Sequence, residues 1–254
     1  MTWLTEITNL EATEFWIIAG IVFVAGVVRG FSGFALSALI MATAVVFLPP
    51  IELIPMLWWL EISASVLMLK GGWKDADRKA AIGLVIGSTV GWPIGLWLTL
   101  SLDVDTSKAV ALAIILALAV SQLAKVRMPF LATKSGLYGT GVVAGIVSGL
   151  AHVGGMVVAF YVLASNAPAR SMRGSLVLFL FLGSLTSMIT QLLFGVMDWS
   201  GVSRGLVFAV PTMIGVFIGQ QIFVERLAPY YRPFCLVLLV GLAGIGLLRQ
   251  VAAA

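Results

Sequence analysis

Arg29, Glu61 and His152 are the residues of this 254-residue chain whose chemistry is hardest to reconcile with their neighbours. Arg29 follows the apolar run Val24-Ala25-Gly26-Val27-Val28 and stands directly before Gly30-Phe31-Ser32-Gly33. Glu61 interrupts a run that begins Met56-Leu57-Trp58-Trp59-Leu60 and meets no further charge until Lys70. His152, the single histidine, sits in Gly149-Leu150-Ala151-His152-Val153-Gly154-Gly155. A guanidinium presents a planar fork of donors that suits carboxylates and oxyanions. A neutral imidazole can donate one hydrogen bond and exchanges its proton near neutral pH. A carboxylate in apolar surroundings is either a proton carrier or a counter-ion. Arg29 therefore has two readings, holding an anion or pairing with Glu61, and the two can alternate.

These residues need elements that bring them together, and the glycines around them suggest which. Gly30-Phe31-Ser32-Gly33 and Gly149 to Gly155 each interrupt an apolar region, about 15–48 and about 136–165. Glycine permits sharp turns and close helix approach. A helix starting just after Gly33, and another just after Gly155, would aim free N–H groups and a positive dipole end at whatever lies between the breaks, which suits an anion. The expected binding set is thus Arg29, Ser32, Gly33, His152, Gly154 and Gly155, with Glu61 as proton carrier or ion-pair partner. Ser63, Ser65, Ser148, Ser184, Thr186 and Gln191 add neutral polar groups on the same apolar segments, where hydroxyls commonly bond to their own helix.

Composition sets the surroundings. Only 10% of residues are charged and 61% are hydrophobic, whereas ordinary globular domains carry about 25% charged residues. No Asp, Glu, Lys or Arg occurs in 135–169, 174–197 or 205–224, and roughly 20 apolar residues span a hydrocarbon core. The chain reads as an all-α polytopic membrane protein. Glu6, Glu11 and Glu14 without any Lys or Arg make the first 14 residues unlike a secretory leader, so they read as part of the mature protein. One cysteine, Cys235, excludes an internal disulfide and any thiolate metal cluster. No His-Glu-x-x-His, Walker loop or paired-aspartate cluster occurs, so neither an enzyme, nor a metal, nor a cofactor is expected.

The chain also repeats itself. Val24-Ala25-Gly26-Val27-Val28-Arg29-Gly30 returns 119 residues later as Val143-Ala144-Gly145-Ile146-Val147-Ser148-Gly149. Gly91-Trp92-Pro93-Ile94-Gly95 is echoed 124 residues later by Gly215-Val216-Phe217-Ile218-Gly219. Each half then reads as a glycine-broken helical hairpin followed by three crossings, near 51–69, 80–101 and 107–124, and near 174–196, 203–224 and 232–249. The halves are 1–124 and 136–254, joined by a basic cytoplasmic linker, 125–135. With hairpins that return to their own side, eleven basic residues fall inside (Lys70, Lys74, Arg78, Lys79, Lys125, Arg127, Lys134, Arg170, Arg173, Arg226 and Arg232). Three fall outside: Lys108, Arg204 and Arg249. The positive-inside rule then predicts both termini periplasmic. Three crossings per half is an odd number, so the halves must be inverted repeats. Hairpins and full crossings share the same parity.

Arg29-Gly-Phe-Ser-Gly-Phe-Ala-Leu36, its partner Gly149-Leu-Ala-His-Val-Gly-Gly-Met156, and the basic mid-chain loop resemble the TauE/SafE sulfite exporter family, also called the toluene sulfonate uptake permeases. The resemblance covers the chain in length, duplicated layout and segment order. It implies transport of a small sulfur-containing anion, such as sulfite, sulfoacetate or another organosulfonate, across the bacterial inner membrane, with export as the direction. The alternative is a channel-like facilitator or an importer of small organic anions. The expected partners are the anionic substrate and the lipid bilayer. The basic loops call for no nucleic acid, and a homodimer is an open alternative. Gly91, Pro93, Gly95, Pro211, Gly215 and Gly219 are expected as points of flexure or close packing in alternating access.

Overall fold

The computed structural model describes residues 2–126, 128–164, 168–222 and 228–253. Arg127 and Arg226, two of the basic residues counted on the inner side, lie outside the described residues. Those described form eleven α-helices and no strand: α1 (Thr2–Thr8), α2 (Ala12–Ser32), α3 (Leu36–Ala44), α4 (Pro50–Asp75), α5 (Arg78–Ser101), α6 (Val104–Leu123), α7 (Lys134–Ala151), α8 (Gly154–Ala164), α9 (Ala169–Leu193), α10 (Trp199–Ile222) and α11 (Ala228–Ala253). Seven of these, α2, α4, α5, α6, α9, α10 and α11, are long and apolar enough to cross a membrane. Their outward faces carry Ile86, Val90, Ile94, Trp97, Leu185 and Ile189, all exposed. So continuous an apolar surface belongs against lipid rather than water. The protein is a multi-pass membrane protein.

The helix ends follow from local chemistry. The Asp77 carboxylate accepts the Ala80 amide at 3.0 Å and starts α5, and Asp103 accepts the Thr106 amide at 2.9 Å and starts α6. That amide bond holds the Asp103 carboxyl below its ordinary range. Thr133 caps α7 in the same way through Gly136.

Two helix pairs form the closest contacts: α2 with α10 and α5 with α7. Both pairs run parallel, and both are seamed by glycines four residues apart. On α5, a methyl group placed at Gly91 would lie 2.1 Å from the Val142 carbonyl oxygen, and one on Gly219 of α10 would lie 2.1 Å from that of Val27. In lipid, where apolar side chains gain nothing by leaving the solvent, such backbone-to-backbone packing is a principal source of helix association. The glycines of the two sequence echoes are therefore packing surfaces. The first long helix of each half seats on a helix of the other: α2 on α10, and α7 on α5.

The interrupted regions are less even than their sequence suggests. The breaks divide 15–48 and 136–165 into arms of similar length, whereas α2 has 21 residues and α3 has 9, and α7 has 18 and α8 has 11. At about 1.5 Å per residue, α2 is roughly 31 Å long and α3 about 13 Å. The first arms run long because the glycine seams with α10 and α5 continue to the break itself, through Gly30 and Gly149.

At one end of the bundle, Arg170 pairs with Asp75 at 3.7 Å and the Asp77 amide donates to Ser175 Oγ at 2.9 Å, tying the start of α9 to the α4–α5 turn. At the other end, buried Arg204 pairs with Glu52 at 2.6 Å and donates from Nε to the Thr8 carbonyl at 2.8 Å.

Gly91→Ala should weaken the fold by about 1–3 kcal/mol, as overpacking does, because the Val142 carbonyl it meets belongs to backbone. Gly241→Ala, with nothing within 4 Å, should be neutral or stabilising by about 0.5–1 kcal/mol. Thermal denaturation of both variants in detergent checks the contrast.

Candidate functional site

The two breaks end alike. α2 closes at Gly33 with φ 81°, its amide donating to the Arg29 carbonyl at 2.9 Å, and α7 closes at His152 with φ 56°, its amide donating to the Ser148 carbonyl at 2.8 Å. Both are left-handed helix caps, a conformation that glycine adopts freely and histidine only at a cost. A methyl group on Gly33 would also meet Arg173 Cγ at 2.7 Å.

From these caps a polar chain crosses the protein. Arg29, fully buried, donates to the Gly33 carbonyl through Nη1, to Ser65 Oγ at 3.1 Å through Nη2, and pairs with Glu61 Oε2 at 3.3 Å. The other Glu61 oxygen accepts the Ser37 hydroxyl at 2.7 Å and the Ser37 amide at 3.4 Å. That amide belongs to the first turn of α3. The anion at this helix N-terminus is thus the protein's own carboxylate, and α3 begins at Leu36, three residues after Gly33. Ser37 Oγ in turn lies 3.3 Å from His152 Nδ1. With the Ser37 proton committed to Glu61, Nδ1 must be the donor in this last contact. In the neutral ring Nε2 is then the bare lone pair, and it has no hydrogen-bond partner. The ring edge packs on Trp92, centroids 5.6 Å apart and planes at 79°.

His152 lines a small cavity of about 20 Å³ together with Glu61, Ser88, Trp92, Ser148, Phe179, Leu180, Gly183, Ser184 and Ser187. That volume suits about one water molecule. The walls come from α4, α5, α7 and α9. A larger recess of about 770 Å³, among α6, α7 and α8, has no charged lining residue and opens beside exposed Val143 and Phe130.

Of the residues expected from sequence, Arg29, Glu61 and His152 are linked through Ser37. Ser148 and Ser184 line the cavity, whereas Ser32, Gly33, Gly154 and Gly155 lie apart from its wall. Ser32 folds back on its own turn, donating to the Phe34 carbonyl at 2.6 Å and accepting the Phe34 amide. Gly33 abuts Arg173. Gly154, which starts α8, lets the hairpin close against Ser148, whose Oγ would be 2.1 Å from an added methyl; Gly155 faces Leu180. Ser37, Ser88 and Ser187 were not singled out from sequence, because a serine on an apolar helix gains meaning only from the direction in which it faces. Arg173 was counted among loop residues, yet its Nη2 donates to the Gly30 carbonyl at 2.5 Å. Gly201-Val202-Ser203-Arg204-Gly205 matches the Gly-x-Ser-x-Gly spacing of a nucleophile elbow, which works at a strand-to-helix turn. Here Ser203 lies inside α10 and donates to the Ile7 and Ser200 carbonyls.

Glu61→Gln removes the counter-charge of a buried guanidinium and should cost about 3–5 kcal/mol; adding Arg29→Met should recover most of that loss. Thermal unfolding of the single and double variants measures both. His152→Gly should fold at least as well as the parent protein, because glycine favours the left-handed cap.

The family model described as "Sulfite exporter TauE/SafE" matches residues 18–246. Comparison with curated proteins and with solved structures returns no match. A match over nearly the whole chain, on a helical bundle with two broken hairpins meeting at a buried polar chain, places the molecule: it belongs to the TauE/SafE sulfite exporter family.

Proposed function

We propose that the chain is a secondary transporter of the bacterial inner membrane that exports a small sulfur-containing anion, such as sulfite, sulfoacetate or another organosulfonate, by alternating access. The observation that carries this reading is the unpartnered, buried Nε2 of His152, on a residue that lines a small cavity with Glu61, Ser88, Ser148, Ser184 and Ser187. A neutral imidazole with its proton on Nδ1 can offer an oxyanion nothing but a lone pair. The anion is met by Nε2 once the ring takes a second proton, so anion and proton binding are linked. The charged groups nearest the ring are Glu61, reached through Ser37, and Arg29 behind it. Glu61 holds Arg29 in the empty site and steadies the imidazolium in the filled one.

The layout supports alternating access. The exchange of partners, α2 on α10 and α7 on α5, together with the 119-residue echo of the caps at Gly33 and His152, is what two inverted repeats sharing one interface would produce. The units are 1–124 and 136–254, with the linker 125–135 and both termini periplasmic on the charge count. A cavity of about 20 Å³, held between ion pairs at both ends of the bundle, favours a gated carrier over an open channel. The glycine seams are rigid surfaces about which one group of helices rocks against the other.

A ligand that binds only the folded state raises its apparent stability. Thermal unfolding of the purified protein with sulfite, sulfate, thiosulfate, sulfoacetate, taurine, acetate and lactate tests the reading. A sulfur anion should raise the unfolding temperature, more at acid than at alkaline pH, and His152→Gly should abolish the rise while remaining folded. A rise with carboxylates alone, or one that survives His152→Gly, would show the substrate or the site to be misassigned.

A further inference from the structure

Two of the cavity-wall residues, Ser184 and Ser187, lie on a face of α9 that the family assignment does not describe. Beyond Leu180, the buried face of α9 changes character. Gly183, Ser184, Ser187, Thr190 and Gln191 are buried at helical spacing, while Leu185, Ile189, Leu192 and Leu193 on the opposite face are exposed. Toward the Arg170 end of the same helix, the buried residues include Leu176, Val177, Leu178 and Phe179. One half of α9 is thus polar inward and apolar outward, and Ser184 and Ser187 are also cavity-wall residues.

Gln191 is the member of this face that ordinary packing does not account for. The hydroxyls of Ser184 and Ser187 donate to carbonyls of their own helix, those of Leu180 at 2.7 Å and Ser184 at 3.1 Å. Gln191 is fully buried, and neither its amide nitrogen nor its amide oxygen has a hydrogen-bond partner. An amide in that state is destabilising, and a leucine would fill the position without the penalty. It sits seven residues, about two turns, beyond Ser184, on the same side of the helix.

We propose that the Ser184–Ser187–Gln191 face of α9 is the leg of the anion route between the central cavity and the Asp198–Arg204 end of the bundle, and that the Gln191 amide N–H groups are a docking point for a passing sulfonate or sulfite oxygen. The proposal rests on the transporter reading above. Serine hydroxyls and a carboxamide bind an oxyanion without the full charge that would trap it, which suits a transit point. Phe179 and Leu180 supply apolar wall to the cavity, and the Glu52–Arg204 pair stands at the end of the bundle toward which the leg would lead.

The chain's one cysteine makes the route open to labelling. In a Cys235→Ala background, Ser187→Cys, Gln191→Cys and the outward-facing Ile189→Cys would be treated, in sealed vesicles of either orientation, with 2-sulfonatoethyl methanethiosulfonate, a membrane-impermeant sulfonate. The expected result is modification of Ser187→Cys and Gln191→Cys from the side bearing Arg204, at least tenfold faster than Ile189→Cys and slowed by sulfoacetate. Gln191→Leu should raise the KM for sulfoacetate transport several-fold at an unchanged amount of folded protein, and Gln191→Asn should restore part of the loss. Equal labelling at all three positions, or transport by Gln191→Leu like that of the parent, overturns the proposal and leaves Gln191 with a bound water alone. Fast labelling that acetate and lactate slow, but sulfite and sulfoacetate do not, keeps the leg and rejects the sulfur-anion reading instead.

Discussion

A permanent positive charge with no access to water has to be answered inside the protein, and the centre of this molecule is organised around that demand. Arg29 stands in the last two turns of α2 and cannot shed its proton. Glu61 on α4 supplies the charge, Ser65 and the Gly33 carbonyl take further N–H groups, and Ser37 fixes the carboxylate from the first turn of α3. Four segments are positioned by one guanidinium. The same carboxylate orients Ser37, which sets the tautomer of His152 on the far hairpin. The electrostatic state of one break is thereby felt at the other.

The glycine seams do complementary work. They carry no charge and fix no chemistry, but they let α2 reach α10, and α5 reach α7, at backbone contact, so the breaks at Gly33 and His152 are held at defined points against the opposing half. Bulk in the seams would move the polar chain apart by more than its hydrogen bonds tolerate. Dispersion and close approach thus set the distances on which the ionic interactions depend.

Much of this could be read in the sequence, and the remainder depended on helix rotation. Long charge-free runs mark the spans because lipid tolerates so few ionised groups. The echo between Val24–Gly30 and Val143–Gly149 puts Gly33 and His152 at the same step of their breaks, and both prove to be left-handed caps. The Arg29–Glu61 pair was one of two readings of the isolated arginine. Ser37, Ser88 and Ser187 were not legible as a group, since each lies on a different helix and only packing aims them at one another. Glycines four apart announce a close contact but do not name the partner, so the crossed seating of α2 and α7 could not be foreseen. The unequal arms had the same cause.

That crossed seating has a consequence for biosynthesis. As the chain is threaded into the bilayer, α2 is complete some 180 residues before the glycine face of α10 that it needs. Until then the backbone of Gly26 and Gly30 borders lipid or provisional neighbours, and the buried arginine beside Gly30 must already be inserted. Closure over such a separation is slow and exposes unfinished surfaces. A helix made near the end of the chain completes the packing of one made near its start, and assembly returns to the contact from which insertion began.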